Sequence, residues 1–151
     1  MSEKSILLIE DDPDDETLII RELRRNNVAN RIAVVRDGAE ALDYLFCTGS
    51  YADRDPDDLP TVVILDLKLP KIDGLEVLRQ IRADKHTKVL PVVVMTSSDA
   101  ERDMAESYNR GANSYVRKPV NFDQFREVVR QLQLYWLLTN EAPPKPDLEH
   151  G

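Results

Sequence analysis

The stretch from Thr61 to Gly74, Thr-Val-Val-Ile-Leu-Asp-Leu-Lys-Leu-Pro-Lys-Ile-Asp-Gly, constrains this chain more than any other. Four consecutive branched apolar residues, Val62 to Leu65, leave no polar face. The run therefore reads as a strand covered on both sides, the kind found in the middle of a parallel sheet. It ends on a carboxylate, Asp66. Ligands of open α/β sheets bind beyond the carboxyl ends of the strands, so Asp66 is the first candidate for chemistry. Pro70 and the Asp73-Gly74 pair then punctuate a loop, and Leu75, Leu78 and Ile81 begin a helical stripe running to about Ala83.

The same unit recurs along the chain. Ile6 to Ile9 is a short apolar run that stops at Glu10-Asp11, and Leu18, Ile19 and Leu23 follow at helical spacing up to Asn26-Asn27. Ile32 to Val35 is broken by Asp37-Gly38 before a helix carrying Ala39, Leu42, Leu45 and Phe46. Thr48 to Pro60, polar and acidic, reads as a longer surface loop. Pro91 to Met95 ends on Thr96-Ser97-Ser98, and Asp99 is placed to cap a helix whose weak apolar face is Ala100, Met104 and Tyr108, before Gly111. Ser114 to Arg117 ends on Lys118-Pro119, and Asn121 is placed to cap a last helix with Phe125, Val128, Val129, Leu132 and Trp136 on one face. Five strand-helix repeats of this kind predict a parallel sheet covered on both faces.

Right-handed crossovers carry all the strand ends to one edge of such a sheet. Glu10, Asp11 and Asp66 therefore meet Thr96 and Lys118. Two carboxylates about 4 Å apart repel by roughly 4 kcal/mol at an effective dielectric near 20, so three acids require cations. Lys118 supplies one charge, and oxygen-only ligands favour Mg²⁺ over zinc for the remainder. The set suits phosphoryl transfer, with Asp66 as nucleophile, Mg²⁺ and Lys118 neutralising the phosphoryl oxygens, and Thr96 donating a hydrogen bond.

Size and charge limit the alternatives. A chain of 151 residues, 42% of them hydrophobic, suits one domain with a full core, without room for a second catalytic or DNA-binding unit. A formal net charge of -8 and the lack of a Lys/Arg cluster argue against nucleic-acid binding. Cys47, the single cysteine, excludes an internal disulfide or a cysteine-based zinc site, fits a reducing cytoplasm, and is expected inside a helix and buried. With no signal-peptide pattern and no apolar run of about 18 to 20 residues, a cytoplasmic location without membrane insertion is expected.

Four segments, Leu-Leu-Ile-Glu-Asp-Asp, Val-Ile-Leu-Asp-Leu-Lys-Leu-Pro-Lys-Ile-Asp-Gly, Val-Val-Met-Thr-Ser-Ser and Gly-Ala-Asn-Ser-Tyr-Val-Arg-Lys-Pro, occur in this order, and together they closely resemble a receiver domain of two-component response regulators, the chemotaxis-regulator type. The resemblance implies a flavodoxin-like doubly wound sheet of order 2-1-3-4-5 with five helices, a domain over 5-139 and a Pro-rich tail over 140-151. It implies that Asp66 accepts a phosphoryl group from a sensor histidine kinase, with Mg²⁺ held by Glu10, Asp11, Asp66 and the Lys68 carbonyl. Thr96 and Tyr115 then form the switch that alters the face built by the fourth and fifth helices, and the Lys118-Pro119 bond is expected to be cis. Such a chain is expected to be a phosphoacceptor switch, not an enzyme, that promotes its own phosphorylation and dephosphorylation, and without an output domain it is expected to signal through protein contacts.

Glu10 stands where many members carry Asp, and its longer arm allows it to reach the metal through water rather than directly. Lys68 and Ser98, two positions after Asp66 and Thr96, are expected to flank an attacking water and to set the lifetime of the phosphorylated state. Exchanging both for other polar residues and timing dephosphorylation checks this, and an unchanged lifetime refutes it. More narrowly, Thr48-Gly49-Ser50-Tyr51, Ser107-Tyr108 and Tyr135-Trp136-Leu137-Leu138 resemble the small regulators that partner phytochrome-type histidine kinases. Leu134, Leu137 and Leu138 lie off the core stripe of the last helix, and with the tail they are expected to make a homodimer.

Plainer readings stand beside these. An isolated Asp at a strand end is usually only polar punctuation. Asp12, Asp14, Asp15 and Glu16 read as a solvated helix start favoured by the helix dipole. His86 and His150 lie in polar contexts without a role. A haloacid-dehalogenase-type phosphatase would want a second acid two residues after its nucleophile, where this chain has Lys68, and a nucleotide-binding enzyme would need a Gly-rich phosphate loop that does not occur. A receiver fold used as a phosphorylation-independent adaptor is the remaining alternative.

Overall fold

Strand and helix alternate from the first described residue. The computed structural model describes residues 4-25, 31-97, 101-118, 122-133 and 135-136. Strands β1 (Ser5-Ile9), β2 (Arg31-Val35), β3 (Val62-Leu65), β4 (Val92-Thr96) and β5 (Ser114-Arg117) are separated by α1 (Pro13-Arg25), α2 (Gly38-Phe46), α3 (Gly74-Ala83) and α4 (Glu101-Asn109), and α5 (Phe122-Gln133) follows. The five strands form one sheet in the order β2-β1-β3-β4-β5. All four pairings are parallel, with Leu8 opposite both Val34 and Ile64. This is the doubly wound architecture expected from the alternation, with β3 at its centre.

Because the sheet is covered on both sides, its side chains divide by parity. Leu7, Ile9, Val63 and Leu65 pack with Leu42, Leu45, Val77, Leu78 and Ile81 of α2 and α3. Ile6, Leu8, Val62 and Ile64 pack with Ile19 and Leu23 of α1, Val129 of α5, and Trp136. Helix starts follow from local chemistry: Pro13 opens α1 with its φ already set, and Asp12 Oδ1 accepts the Asp14 and Asp15 amides at 2.9 and 3.2 Å. Asp37 and Asp73 cap α2 and α3 by accepting from Glu40 and Glu76.

Several details depart from expectation. The segment 48-60 is anchored rather than merely superficial. It contains a turn of 3₁₀ helix at Gly49-Tyr51, Tyr51 packs on the core, and its hydroxyl donates to Glu40 Oε2 at 2.7 Å. Arg54 lies over the Tyr44 ring, 3.8 Å from its centroid, and donates to the Tyr44 and Asp58 carbonyls. Cys47 lies one residue past α2, half-buried, in the left-handed conformation that closes the helix. The sequence pattern places it within the helix and buried, but the C-terminal turn there is made by the cysteine itself, which leaves it partly exposed.

In α4, Met104 and Tyr108 are exposed and Ser107 is the buried residue, its hydroxyl donating to the Asp103 carbonyl at 2.8 Å. The two described residues of the expected apolar face of α4, Met104 and Tyr108, therefore point to solvent. The Asp99 and Asn121 caps, the end of α1 at Asn26-Asn27, and Ala100, Leu134, Leu137, Leu138 and the tail over 140-151 lie outside the described residues. So do the side chains of Phe125 and Leu132. Among the described residues no helix is long and apolar enough to cross a membrane.

Arg82, on the last turn of α3, ties together the sheet edge opposite the carboxyl ends, where β4 and β5 begin. Its guanidinium donates to the carbonyls of Lys88, Leu90 and Gly111 and to Asn113 Oδ1, at 2.7 to 3.0 Å. Asn113 Oδ1 also accepts the Val92 amide at 2.8 Å. One side chain thus fixes the approaches to β4 and β5, the strands that end at Thr96 and Lys118.

Candidate functional site

Each parallel strand delivers its last residues to the same sheet edge. Glu10 follows β1 and Asp66 follows β3; their amides donate to the Val35 and Ile9 carbonyls, both at 3.0 Å, which fixes both backbones relative to the sheet. Thr96 ends β4 fully buried, and its carbonyl accepts the Lys118 amide at 2.7 Å. Lys118 follows β5 and turns its side chain back across this edge.

There the ammonium of Lys118 donates to Glu10 Oε1 at 2.6 Å, Asp15 Oδ2 at 2.8 Å and Asp66 Oδ2 at 3.0 Å. The side chains of Lys118, Glu10 and Asp66 are nearly excluded from water. Carboxylate oxygens of Glu10, Asp11 and Asp66 lie within 4.8 Å of one another. Asp66 Oδ1 accepts the Lys68 amide at 3.1 Å, and Glu10 Oε2 accepts the Asp12 amide at 3.2 Å.

Charge explains what such a cluster can hold. Burial pushes the Glu10 carboxyl up to about 8; the hydrogen bond from Lys118 opposes this and the neighbouring Asp66 charge adds to it. Burial alone would lower Lys118, yet its hydrogen bonds to Asp15 and Glu10 and the charge of Asp66 outweigh it and hold the lysine above its ordinary value. Three carboxylates around one ammonium leave surplus negative charge. The all-oxygen set Glu10, Asp11 and Asp66 fits a hard divalent cation.

A pH dependence follows. Glu10 titrates near 4.5 when unperturbed and higher when folded, so the metal-free folded chain binds more protons than the unfolded one in between. Its contribution to stability is complete below about 4.5 and is lost as pH rises toward about 8. A divalent cation should remove this slope by favouring the charged form. Chemical unfolding across that range, with chelator and with Mg²⁺, measures it, and the same slope in both would contradict it.

The loop that carries Asp66 is braced from α2. Gly38 donates its amide to the Pro70 carbonyl at 3.3 Å, and Lys71, in the left-handed region at φ 69°, places its ammonium 3.4 Å from Asp37 Oδ2. The structure therefore brings Glu10, Asp11, Asp66 and Lys118 together and sets Thr96 on the neighbouring strand end. Tyr115 is half-buried on β5, opposite Val94, and packs on the core shared with α2 and α3. Ser98 and the Lys118-Pro119 bond lie outside the described residues. Asp15, read in sequence as a solvated helix start, is instead a direct partner of Lys118. Its one available signal was its place in the turn that follows Glu10-Asp11.

Comparison with known proteins agrees with this geometry. Residues 6-130 match the family described as the response regulator receiver domain. The chain is 40% identical over 138 residues to the probable methanogenesis regulatory protein FilR2 of Methanothrix harundinacea, covering 91% of this chain and 86% of that one. It is 35% identical over 140 residues to the response regulator Rcp1 of Synechocystis sp., covering 93% of each.

Among solved structures, the phosphorylated cyanobacterial phytochrome response regulator RcpA superposes with a TM-score of 0.88 at 38% identity, covering 95% of this chain and all of that one. The Mn²⁺-bound form of Rcp1 gives 0.87 at 35% identity, covering 93% and 99%. The bacteriophytochrome response regulator RtBRR gives 0.75 at 47% identity, covering 95% and 86%. With the parallel order β2-β1-β3-β4-β5 and an acidic cluster that fits a divalent cation, this chain belongs to the response regulator receiver domain family.

Proposed function

We propose that this receiver accepts a phosphoryl group on Asp66 from a phosphohistidine of a sensor histidine kinase. The observation that carries this reading is the Lys118 ammonium 3.0 Å from Asp66 Oδ2, beside the oxygen cluster of Glu10, Asp11 and Asp66. A carboxylate oxygen of Asp66 attacks phosphorus in line, the new P-O bond forms as the P-N bond breaks, and the electron pair stays on the nitrogen of an imidazole that leaves neutral, keeping the proton already on its other ring nitrogen. Glu10, Asp11, Asp66 and the Lys68 carbonyl would hold Mg²⁺, which would supply charge neutralisation for the transferring group. Lys118 contributes a fixed positive charge, and the Lys68 amide at Asp66 Oδ1 orients the carboxylate. Hydrolysis of the resulting acyl phosphate resets the switch, with Lys68 beside the water's path.

Thr96 and Tyr115 transmit the change to the α4-β5-α5 face, a role supported by their places on neighbouring strands. The kinase is of the phytochrome type in this proposal, supported by the likeness to RcpA, described as a phytochrome response regulator, and to RtBRR, described as a bacteriophytochrome one. The receiver spans 5-139, and the tail over 140-151 joins α5 in a homodimer, supported by the exposed ring of Tyr135 beside buried Trp136. Light scattering on a chain truncated after Thr139 checks the dimer, and an oligomeric state equal to that of the full chain would refute the tail's part in it.

Incubation with acetyl phosphate and Mg²⁺ tests the central claim by intact mass. A phosphate adduct is expected on the unaltered chain and neither on Asp66→Asn nor in the presence of chelator. An unaltered chain that takes up no phosphate would sink the phosphoacceptor reading and leave the adaptor reading.

A further inference from the structure

We propose that Asp15 is a positioning residue for Lys118, holding its ammonium at the phosphoryl site through a contact that neither the metal nor the phosphoryl group competes for. This rests on Asp66 being the phosphoacceptor.

An ammonium has three donors, and here all three are used, on Glu10, Asp15 and Asp66. Two of those acceptors have a second claim on them. Glu10 and Asp66 belong with Asp11 to the cluster whose oxygens lie within 4.8 Å of one another, so a bound cation draws on both. Phosphorylation also turns the Asp66 carboxylate into an acyl phosphate and removes its anionic oxygen. Asp15 stands outside that cluster and is not modified. Of the three described carboxylates that hold Lys118, it is the one that can keep hold of it in the metal-free, metal-bound and phosphorylated states alike.

Its setting suits that task. Asp15 lies in the first turn of α1, where Pro13 fixes the backbone and the Asp12 side chain caps the Asp15 amide at 3.2 Å. Its side chain is 26% exposed against 7% for Lys118, which places it at the rim of the site. Without Asp15, the ammonium has Glu10 and Asp66 as its remaining partners, the groups that the cation also needs. Lys118 then either competes with the metal or leaves the site when the metal enters.

The test compares the full chain with Asp15→Ala, the near-isosteric Asp15→Asn, and Asp14→Asn. Asp14, exposed in the same turn, controls for the loss of a charge. Phosphorylation by acetyl phosphate in Mg²⁺ is expected to slow about tenfold in Asp15→Ala, the change that one charge-assisted hydrogen bond carries. Asp15→Asn, which keeps a neutral acceptor, should fall between the two, and Asp14→Asn should stay within about twofold of the unaltered chain.

The ammonium resonance of Lys118, followed by ¹⁵N NMR, supplies a readout independent of rate. It should be protected from solvent exchange in the unaltered chain before and after phosphorylation, and be lost in Asp15→Ala once Mg²⁺ is added. An unaltered chain that phosphorylates while Asp15→Ala matches it in rate and resonance overturns this proposal alone, as does equal slowing in Asp15→Ala and Asp14→Asn. An unaltered chain that takes no phosphate overturns the phosphoacceptor reading beneath it. Should Asp15→Ala fail to fold, Asp15→Asn carries the same comparison.

Discussion

In the absence of divalent metal, Lys118→Met is expected to cost about 3 to 5 kcal/mol of stability, the range seen when one partner of a buried ion pair is removed. Lys118 gives hydrogen bonds to Glu10, Asp15 and Asp66, and the first and last of these side chains are almost fully buried. A methionine fills similar space but supplies neither charge nor donors, so two buried carboxylates would face each other unpaired. Part of the loss is relieved by a proton. Glu10 is already pushed up to about 8, so the variant should lose less at mildly acid pH than at alkaline pH.

Mg²⁺ gives the decisive comparison. A cation that binds only the folded chain stabilises it by about 2.7 kcal/mol at a hundred times its dissociation constant. Freed from competition with the ammonium, Glu10 and Asp66 should bind the cation more tightly in the variant. Urea unfolding with chelator and with Mg²⁺ measures both effects. The variant should gain more from Mg²⁺ than the unaltered chain does, while losing phosphate uptake. Equal stability of the two chains in chelator would mean that the ammonium does not neutralise the site.

What the sequence made legible was whatever depends on chain direction and periodicity. Parallel strands put every carboxyl end on one edge, so Glu10, Asp11, Asp66, Thr96 and Lys118 could be grouped from the ends of apolar runs alone. Asp15 was hidden because a first-turn acid has a sufficient local reason, the helix dipole, and nothing local reveals that Lys118, 103 positions later, reaches it. Arg82 was hidden for the converse reason, since its acceptors are mostly backbone carbonyls, which carry no sequence signal.

Helix α4 misled for a physical cause of its own. In a helix of nine residues, Met104 and Tyr108 share one face at i, i+4, and the hydrophobic pattern assigns that face to the core. The structure instead turns that face outward and buries Ser107, whose hydroxyl is satisfied within the helix by the Asp103 carbonyl. The apolar pair is left on the surface of the element that, in the function proposed, carries the signal outward.

The loop after β3 makes the second strong expectation. In Gly74→Ala the new methyl carbon would stand 2.4 Å from the Asp66 carbonyl oxygen and 2.6 Å from Leu67 Cα. Both are backbone atoms, so no rotamer change relieves the overlap and the chain itself must move. Two bonds resist that movement: the Gly74 amide donates to the Leu67 carbonyl at 3.0 Å, and the Asp66 amide donates to Ile9 at 3.0 Å. Breaking either leaves a backbone group unpaired beside a buried carboxylate, so a loss of about 2 to 4 kcal/mol is expected on unfolding in urea. Phosphate uptake should fall further than stability does. A displacement of about 1 Å at a reacting group costs roughly a hundredfold in rate, and Asp66 is the residue whose own carbonyl is struck. A folded Gly74→Ala chain that takes phosphate from acetyl phosphate at the unaltered rate would show that the Asp66 backbone can shift without consequence, contrary to the tight coupling of this loop to the site.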